Sequence, residues 1–513
     1  RVLRDGGQRM EFVNELLRAC AYRAVPSPVR KQLHSEVADW LLEGKKGAEQ
    51  AGGLELAWHC IRAGRQSEAE PFLLKGAREA LSYGAPHESE RALSTGLSWL
   101  RGSARTQGQL ILGEALQEQG RWLDSLNALA SLPTALPPHE EDHARIMQVL
   151  ASYHLEDLTV ASGIAAIEQL TAVVERCPAI STRIVAANAL SGVCGRLRVP
   201  ELAAGALACT KAIGNPDVGV EDRVSLHLSR SILAYHSGDF DDSERDLQSA
   251  VALLEDTRFA SSIAGRVYSG LASHDILRGD YASALQHGLK AFAVASRVGD
   301  ELRLGSIPSN LALYHARLGN VSDQIDCAER CLQLAGSAFR GLPEVQASYF
   351  RSMGYAIQGR SDAAVSALEE MQARLPRQAP LWAHQLWSLF KADVLAMLGR
   401  KHDAIAIAAP IVAEAHRVGF QASHRGLLAR WTALCVESVE DARAARATLF
   451  GMWREMEALA VLDRTEISCA LHSVNRYLGI EDAALEEGLQ MLLSSLPPAV
   501  TRTLERIGTL RRN

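Results

Sequence analysis

The sequence predicts an all-α fold: an α-solenoid, a right-handed superhelix of about ten helical hairpins of ~40 residues each. Three observations lead there. A six-residue phrase, Gly-polar-x-x-x-small, recurs as GRQSEA (64–69), GRWLDS (120–125), GDFDDS (238–243), GDYASA (279–284), GNVSDQ (319–324), GRSDAA (359–364), GRKHDA (399–404) and GIEDAA (479–484). Gly279, Gly319, Gly359 and Gly399 stand 40 residues apart, and VEDARA (439–444) lies where the next copy belongs. Apolar residues make up 47% of the chain but aromatics only 5%, a composition suited to helices packed closely through small side chains. No strand-like alternating run is apparent.

The elements follow in order. Residues 8–24 (QRMEFVNELLRACAYRA) carry apolar residues at helical spacing. Ser27 and Pro28 then offer an N-cap and a proline at the first helical position. The next helix should bury Val29, Leu33, Val37, Trp40 and Leu41 as one stripe and end near Gly44. GKKGAEQAGG (44–53) is a polar linker. It divides a helical remnant, residues 1–50, from a repeat domain, 51–500, and a basic tail, 501–513, closes the chain.

Within the repeats the pattern is helix, short turn, helix. Leu271, Ala272 and Ile276 mark one helix, Gly279 can take the positive φ that ends it, and Tyr281, Ala284, Leu285, Leu289, Ala291 and Phe292 mark the next. The units near 160 and 199 keep the helical pattern but lack the glycine. Pro133, Pro137, Pro138, Pro178, Pro216, Pro308, Pro343, Pro376 and Pro380 are expected in turns between units, because proline is disfavoured inside helices.

Composition narrows the function. A net charge of −6 provides no electrostatic footprint for nucleic acid or an anionic membrane. No run of 18 apolar residues is present, and the N-terminus RVLRDGGQRMEF has no apolar signal region. Starting at Arg1 rather than Met, the chain reads as a segment of a longer protein or a processed one. Nine scattered cysteines without a CxxC point to free thiols in a reducing, cytoplasmic compartment.

The phrase and its flanks resemble tetratricopeptide repeats. Leu112-Gly113, Leu116, Gly120 and Trp122 match that family's pattern in one unit, and Leu271-Ala272, Gly279, Tyr281, Ala284 and Ala291 match it in another. Pro376 falls at the family's terminal proline. The ~40-residue period exceeds the family's usual length of about 34. Longer units of this kind resemble the superhelical domain of maltose-regulator-like STAND ATPases. A second stretch, MEFVNELLRACAYRAVPSPVRKQLHSEVADWLLEG, resembles the end of the winged-helix region of those proteins through Phe12, Arg18, Ala21-Tyr22, Arg30, Leu33-His34, Val37 and Ala38. Residues 54–81 resemble the helices that follow it. Asn14 stands where many members carry a nucleotide-sensing histidine.

The resemblance implies the sensor and oligomerisation arm of a bacterial, cytoplasmic STAND-type transcription regulator. Such an arm binds an inducer or protein partner on its concave face and controls an upstream ATPase. This sequence contains no G-x-x-x-x-G-K-[ST] phosphate loop, so no enzymatic activity is expected of it, and no cofactor. The alternative is a free-standing scaffold for protein assembly. A third reading is a zinc hydrolase acting through His139 and His143 of an H-E-x-x-H motif. Against that, acidic residues suit the first turn of a helix following Pro137-Pro138, and Glu141 and Asp142 are charged where zinc-peptidase helices are not. Cys327 and Cys331, four residues apart, fit buried thiols better than metal ligands.

Aligning the units on their turn glycines places Arg266, Asn310, Arg317, Tyr349, Phe350, Met353, Leu389, Phe390 and Asp393 toward the concave face, with Trp382 and Trp387 on or near the Phe390 helix. Aromatic groups on such a groove would anchor a peptide or stack on a ring. The bland alternative is that about half of them pack between hairpins.

Overall fold

A computed structural model describes residues 3–5, 10–12, 15–43, 52–155, 160–197, 199–215, 217–257, 262–335, 341–375, 381–418, 424–456 and 459–510. The chain is an all-α solenoid of tetratricopeptide-like hairpins, and it divides into two compact units, one reaching to Val193 and the other beginning at Cys194.

The first unit opens with an element absent from the expectations, a short antiparallel pair of β1 (Leu3–Asp5) and β2 (Met10–Phe12), with Leu3 opposite Phe12 and Asp5 opposite Met10. The first helix accordingly begins at Glu15, not near residue 8. Its helices are α1 (Glu15–Ala24), α2 (Ser27–Leu42), α3 (Gly53–Ala63), α4 (Gln66–Ser82), α5 (Pro86–Gly96), α6 (Gly102–Glu118), α7 (Trp122–Leu129), α8 (Pro138–Leu155), α9 (Val160–Arg176) and the start of α10 (Ile180–Leu197). Ser27 is the first residue of α2 and makes no cap bond; Pro26 precedes it. The linker boundary and Asn14 lie outside the described residues.

The second unit continues with α11 (Ala204–Cys209), flanked by single 3-10 turns, then α12 (Val220–Ser237), α13 (Phe240–Thr257), α14 (Ser262–Arg278), α15 (Tyr281–Val298), α16 (Glu301–Leu318) and α17 (Val321–Ala335). It ends with α18 (Leu342–Ile357), α19 (Ser361–Arg374), α20 (Leu381–Met397), α21 (Lys401–Val418), α22 (Arg425–Leu434), α23 (Val439–Arg454), α24 (Val461–Tyr477), α25 (Ala483–Ser494) and α26 (Pro498–Ile507). The glycine-free unit near 199 is the irregular one, its second helix broken around α11.

All eight phrase glycines sit at the turn between two helices with φ between 69° and 89°. In that left-handed region a Cβ crowds the backbone, and glycine ends a helix there without strain. At VEDARA the turn is made differently. Ser438 caps α23, its hydroxyl accepting from the Asp441 amide at 3.1 Å while Asp441 accepts from the Ser438 amide at 2.9 Å. This reciprocal capping box starts α23, and α22 has already ended at Leu434 without a left-handed residue.

Pro308 contradicts the turn expectation. It is buried inside α16, where it has no N–H to give to the carbonyl four residues back. Pro71 and Pro410 likewise lie within α4 and α21. Pro343 fits, standing in the first turn of α18, and Pro216, Pro376 and Pro380 fall outside the described residues.

In the second unit the first helices of successive hairpins pack on one another, α16 on α18, α18 on α20 and α22 on α24. The row closes on itself: α24 touches α14, and α26 packs against α16 and α20. The stretch from 501 is helix through Ile507, with Thr503, Leu504 and Ile507 buried.

Candidate functional site

The residues expected on a groove separate into two sets. Arg266 and Arg317 are half-buried and Asn310 is exposed. Tyr349, Phe350, Met353, Leu389, Phe390, Trp387 and Asp393 are buried, Trp387 at 1% exposure and Asp393 at 0%. Trp382 is in α20, and its side chain lies outside the described residues. The aromatic groove is thus corrected to an aromatic core. Large side chains on α18 and α20 fill the space between hairpins, because both flanks of a first helix are covered in a row of this kind. Tyr349 and Phe390 stack with ring centres 4.1 Å apart, and the Trp387 indole N–H donates to Gln372 at 3.1 Å.

Asp393 anchors a buried polar centre shared by α18, α20, α22 and α24. It accepts from the Tyr349 hydroxyl (3.1 Å), the Trp431 indole (2.8 Å) and the Arg430 guanidinium. Arg430 also donates to Glu466 at 2.9 Å, and Asp463 accepts the Gly426 amide at 2.9 Å. Burial raises the Asp393 carboxyl to about 6 despite the Arg430 charge beside it. Burial, with Glu466 near, pushes Asp463 up to about 7. Burial works against the Arg430 charge, but Asp393 and Glu466 outweigh it and hold the guanidinium protonated. Sequence reasoning missed Arg430, Trp431, Asp463 and Glu466, since their helices start outside the regular phrase.

Arg266 does reach an open site. It lines a pocket of about 330 Å³ with Ser231, Tyr235, His236, Ser269, Ser273, His274 and Arg303. Ile232, Leu228, Leu247 and Gly270 supply the apolar part. Helices α12, α14 and α16 provide most of this lining, so the pocket lies on the first-helix face. Its floor is a hydrogen-bonded chain: Ser231 and Ser243 hydroxyls lie 2.9 Å apart, Ser243 donates to the Ser231 carbonyl at 2.8 Å, and the His274 Nε2 lies 2.8 Å from Ser243. Burial lowers the His274 pKa, so the imidazole is neutral near pH 7. Ser243 is fully buried and its hydrogen bonds tie three helices. Asp300 caps α16, accepting from the Arg303 amide at 3.0 Å and pairing with its guanidinium. Among the described residues the lining is hydroxyls, imidazoles and guanidinium groups, a set dominated by hydrogen-bond donors that suits a ligand carrying acceptor atoms.

In the first unit, two residues that precede the repeats meet a repeat residue. The Tyr22 hydroxyl lies 2.9 Å from His34 Nε2, and His34 Nδ1 lies 3.1 Å from His59 Nδ1 of α3. Burial lowers the pKa of both imidazoles, and for His34 the neighbouring His59, Arg62 and Arg30 add to it. The stripe expected to be buried on α2 is divided: Val37 is half-buried and Leu41 packs against the Ala38, Leu56, Cys60 and Ala69 cluster, while the rest is exposed. Val29, Leu33 and Trp40 are 46%, 49% and 37% exposed, and α2 turns His34 and Ala38 inward. His139 is exposed at the start of α8, while His143 turns to Glu114 of α6 at 3.2 Å. Burial opposes a proton on His143, but the Glu114 charge outweighs it and raises the pKa. Cys331 is buried, its thiol 3.1 Å from the Gly305 carbonyl, and Cys327 is half-buried.

No family model and no curated protein matches the sequence. Several solved structures are similar to it. A Rap protein complexed with competence and sporulation factor is 11% identical with a TM-score of 0.46, over 68% of this chain and 98% of that one. Yeast Tom70 is 11% identical with a TM-score of 0.41, over 94% and 96%. A STAND protein with a tetratricopeptide repeat sensor from Pyrococcus horikoshii is 12% identical with a TM-score of 0.26, over 99% of this chain and 58% of that one. Among the described residues, no helix is long and apolar enough to cross a membrane.

Proposed function

We propose that this chain is the sensing arm of a STAND-type regulator. It binds a protein partner or small-molecule inducer on the first-helix face, with the Arg266 pocket as the point of entry, and controls an upstream ATPase module in a bacterial cytoplasm. Self-association of the arm and transcriptional output belong to the same reading. The chain contributes recognition and no catalysis of its own.

The observation that carries this reading is the exposed stripe on α2. Val29, Leu33 and Trp40 recur at helical spacing, yet they face solvent while the opposite side of α2 packs on α3. A contiguous apolar stripe left open marks a contact surface. The winged-helix-like residues Tyr22 and His34 fix α2 against the first repeat, so a module docked on the stripe is mechanically joined to the array. The trigger then works by favouring one of two arrangements of arm and module, and it shifts their population only by its difference in affinity.

The test is the full-length protein. Its coding sequence upstream of Arg1 contains a phosphate loop, and the protein hydrolyses ATP. Leu33→Ser with Trp40→Ser raises basal hydrolysis by uncoupling the arm. Arg266→Glu leaves basal hydrolysis intact and removes the response to the trigger. A coding sequence without a phosphate loop overturns the reading and leaves the scaffold alternative.

A further inference from the structure

The helix α26 is not part of a hairpin, and its place in the second unit is unlike that of any other helix. It lies against α16 and α20, on the face formed by the first helices. Its buried residues are Ala499, Val500, Thr503, Leu504 and Ile507, spaced i, i+1, i+4, i+5 and i+8. That spacing is a single stripe on a helix, and Arg502 and Arg506 occupy the exposed side. Val500 and Leu504 of that stripe enter a seat built from Tyr281 and Val461 and bordered by Ile276 and Leu318, and Ile507 joins the core that holds Trp387 and Phe390. The phrase turns form part of the same seat. Gly319 abuts Ala499, and Gly279 abuts Leu496 and Val461.

We propose that this seat is a binding site for an amphipathic helix, that α26 is the occupant supplied by the chain itself, and that a partner protein engaging this face does so with a helix of the same apolar spacing that displaces α26. Three features argue for exchange over permanent packing. A ten-residue helix is too short to hold its conformation alone, so α26 is helical because it is seated. It follows the exposed end of α25 at Ser494 and Ser495 and then Pro497 and Pro498, so it can leave with the body of that hairpin in place. The seat is also under-satisfied with α26 in place. Among the described residues the buried Tyr281 hydroxyl and the Arg317 Nε have no hydrogen-bond partner. A buried polar group without a partner carries a desolvation cost, so a helix offering an acceptor to Tyr281 or Arg317 outcompetes α26. Recognition of this form is a helix laid in an apolar groove. It does not depend on an ATPase module preceding the chain.

The test uses the full chain with a protease cleavage site inserted between Ser494 and Ser495, and a fluorescein-labelled synthetic peptide of residues 496–510 as probe. Before cleavage the tethered helix competes at high effective concentration, and the peptide binds weakly. After cleavage the labelled peptide exchanges into the body, with apparent affinity at least tenfold tighter, while circular dichroism shows the solenoid intact. A peptide carrying Val500→Asp and Leu504→Asp does not bind. An intact cleaved body that neither releases its own fragment nor accepts the peptide overturns the proposal, as does equal binding of the two peptides. The uncleaved Val500→Asp/Leu504→Asp chain gives an independent reading: it binds the wild-type peptide if it is folded and the seat is real, and a folded variant that does not bind also overturns the proposal.

Discussion

Gly319 and Ala499 are separated by 180 residues in sequence, yet a Cβ built on Gly319 would lie 3.1 Å from the Ala499 methyl. Gly359 makes the same turn one unit later with nothing within 4 Å of such a Cβ. Both glycines have φ near 80°, so alanine at either site costs about 1 kcal/mol in backbone strain. Only Gly319→Ala also pushes on α26. It is expected to lower the urea midpoint more than Gly359→Ala and to open the Ser494–Ser495 bond to limited proteolysis. Equal behaviour of the two variants would remove α26 from the neighbourhood of that turn.

Trp387 and Phe390 are core residues, so their truncation should unfold rather than merely unbind. Trp387→Ala is expected to cost about 3–5 kcal/mol, the range for deleting a large buried aromatic side chain. Scanning calorimetry would show a fall in Tm of several degrees. A groove residue, by contrast, would leave Tm unchanged.

Ser438 starts α23 at a turn that lacks the phrase glycine. Ser438→Ala removes a side-chain acceptor from the first turn of α23 and should cost about 1 kcal/mol, by the usual value of a serine cap. Ser438→Asp should retain most of the stability, and chemical denaturation of the three proteins orders them.

The α2–α3 contact and the polar centre of α20, α22 and α24 should respond to pH in opposite directions. Asp463 is raised to about 7, so the folded second unit holds a proton that the unfolded chain, with an ordinary carboxylate, has lost. Its contribution is full below the ordinary carboxylate range and is lost as pH rises through about 7. Asp393, raised to about 6, acts in the same sense. His34 and His59 have lowered pKa values, so the α2–α3 contact is strongest when both are neutral and weakens as pH falls through the histidine range. Hydrogen exchange at pH 5 and pH 7.5 should show α2 opening at the lower pH and α22 and α24 better protected there. Asp463→Asn should flatten the second dependence and leave the first.

Much of this fold was legible because glycine at a helix end has one physical reason to recur. All eight phrase glycines are left-handed turns, and Ala284 and Ala291 are buried where two helices approach. The stripe on α2 was legible as a stripe but not as partly exposed, since periodicity shows that residues share a face and does not show what covers it. Trp387 and Phe390 were misplaced for a related reason. A first helix in a closed row is buried around most of its girth, so an alignment on turn glycines cannot separate groove from core. The seat of α26 was out of reach, because it joins turns near 279 and 319 to a segment near 500, a contact with no local signal. Pro308 shows that a long, well-packed helix absorbs one lost hydrogen bond.

The buried bond network around Arg430 has an evolutionary consequence. Repeat arrays change length by gaining or losing whole units, which is harmless when each unit touches its neighbours only through apolar surface. Here the unit beginning at α20 supplies Asp393, and the two units after it supply Arg430 and Glu466. Excising the α20–α21 unit would strand a guanidinium in the interior with half its compensation gone, a severe penalty for any buried charge. This stretch of the array is therefore expected to be inherited as a block, with length variation among its descendants falling outside α20–α24.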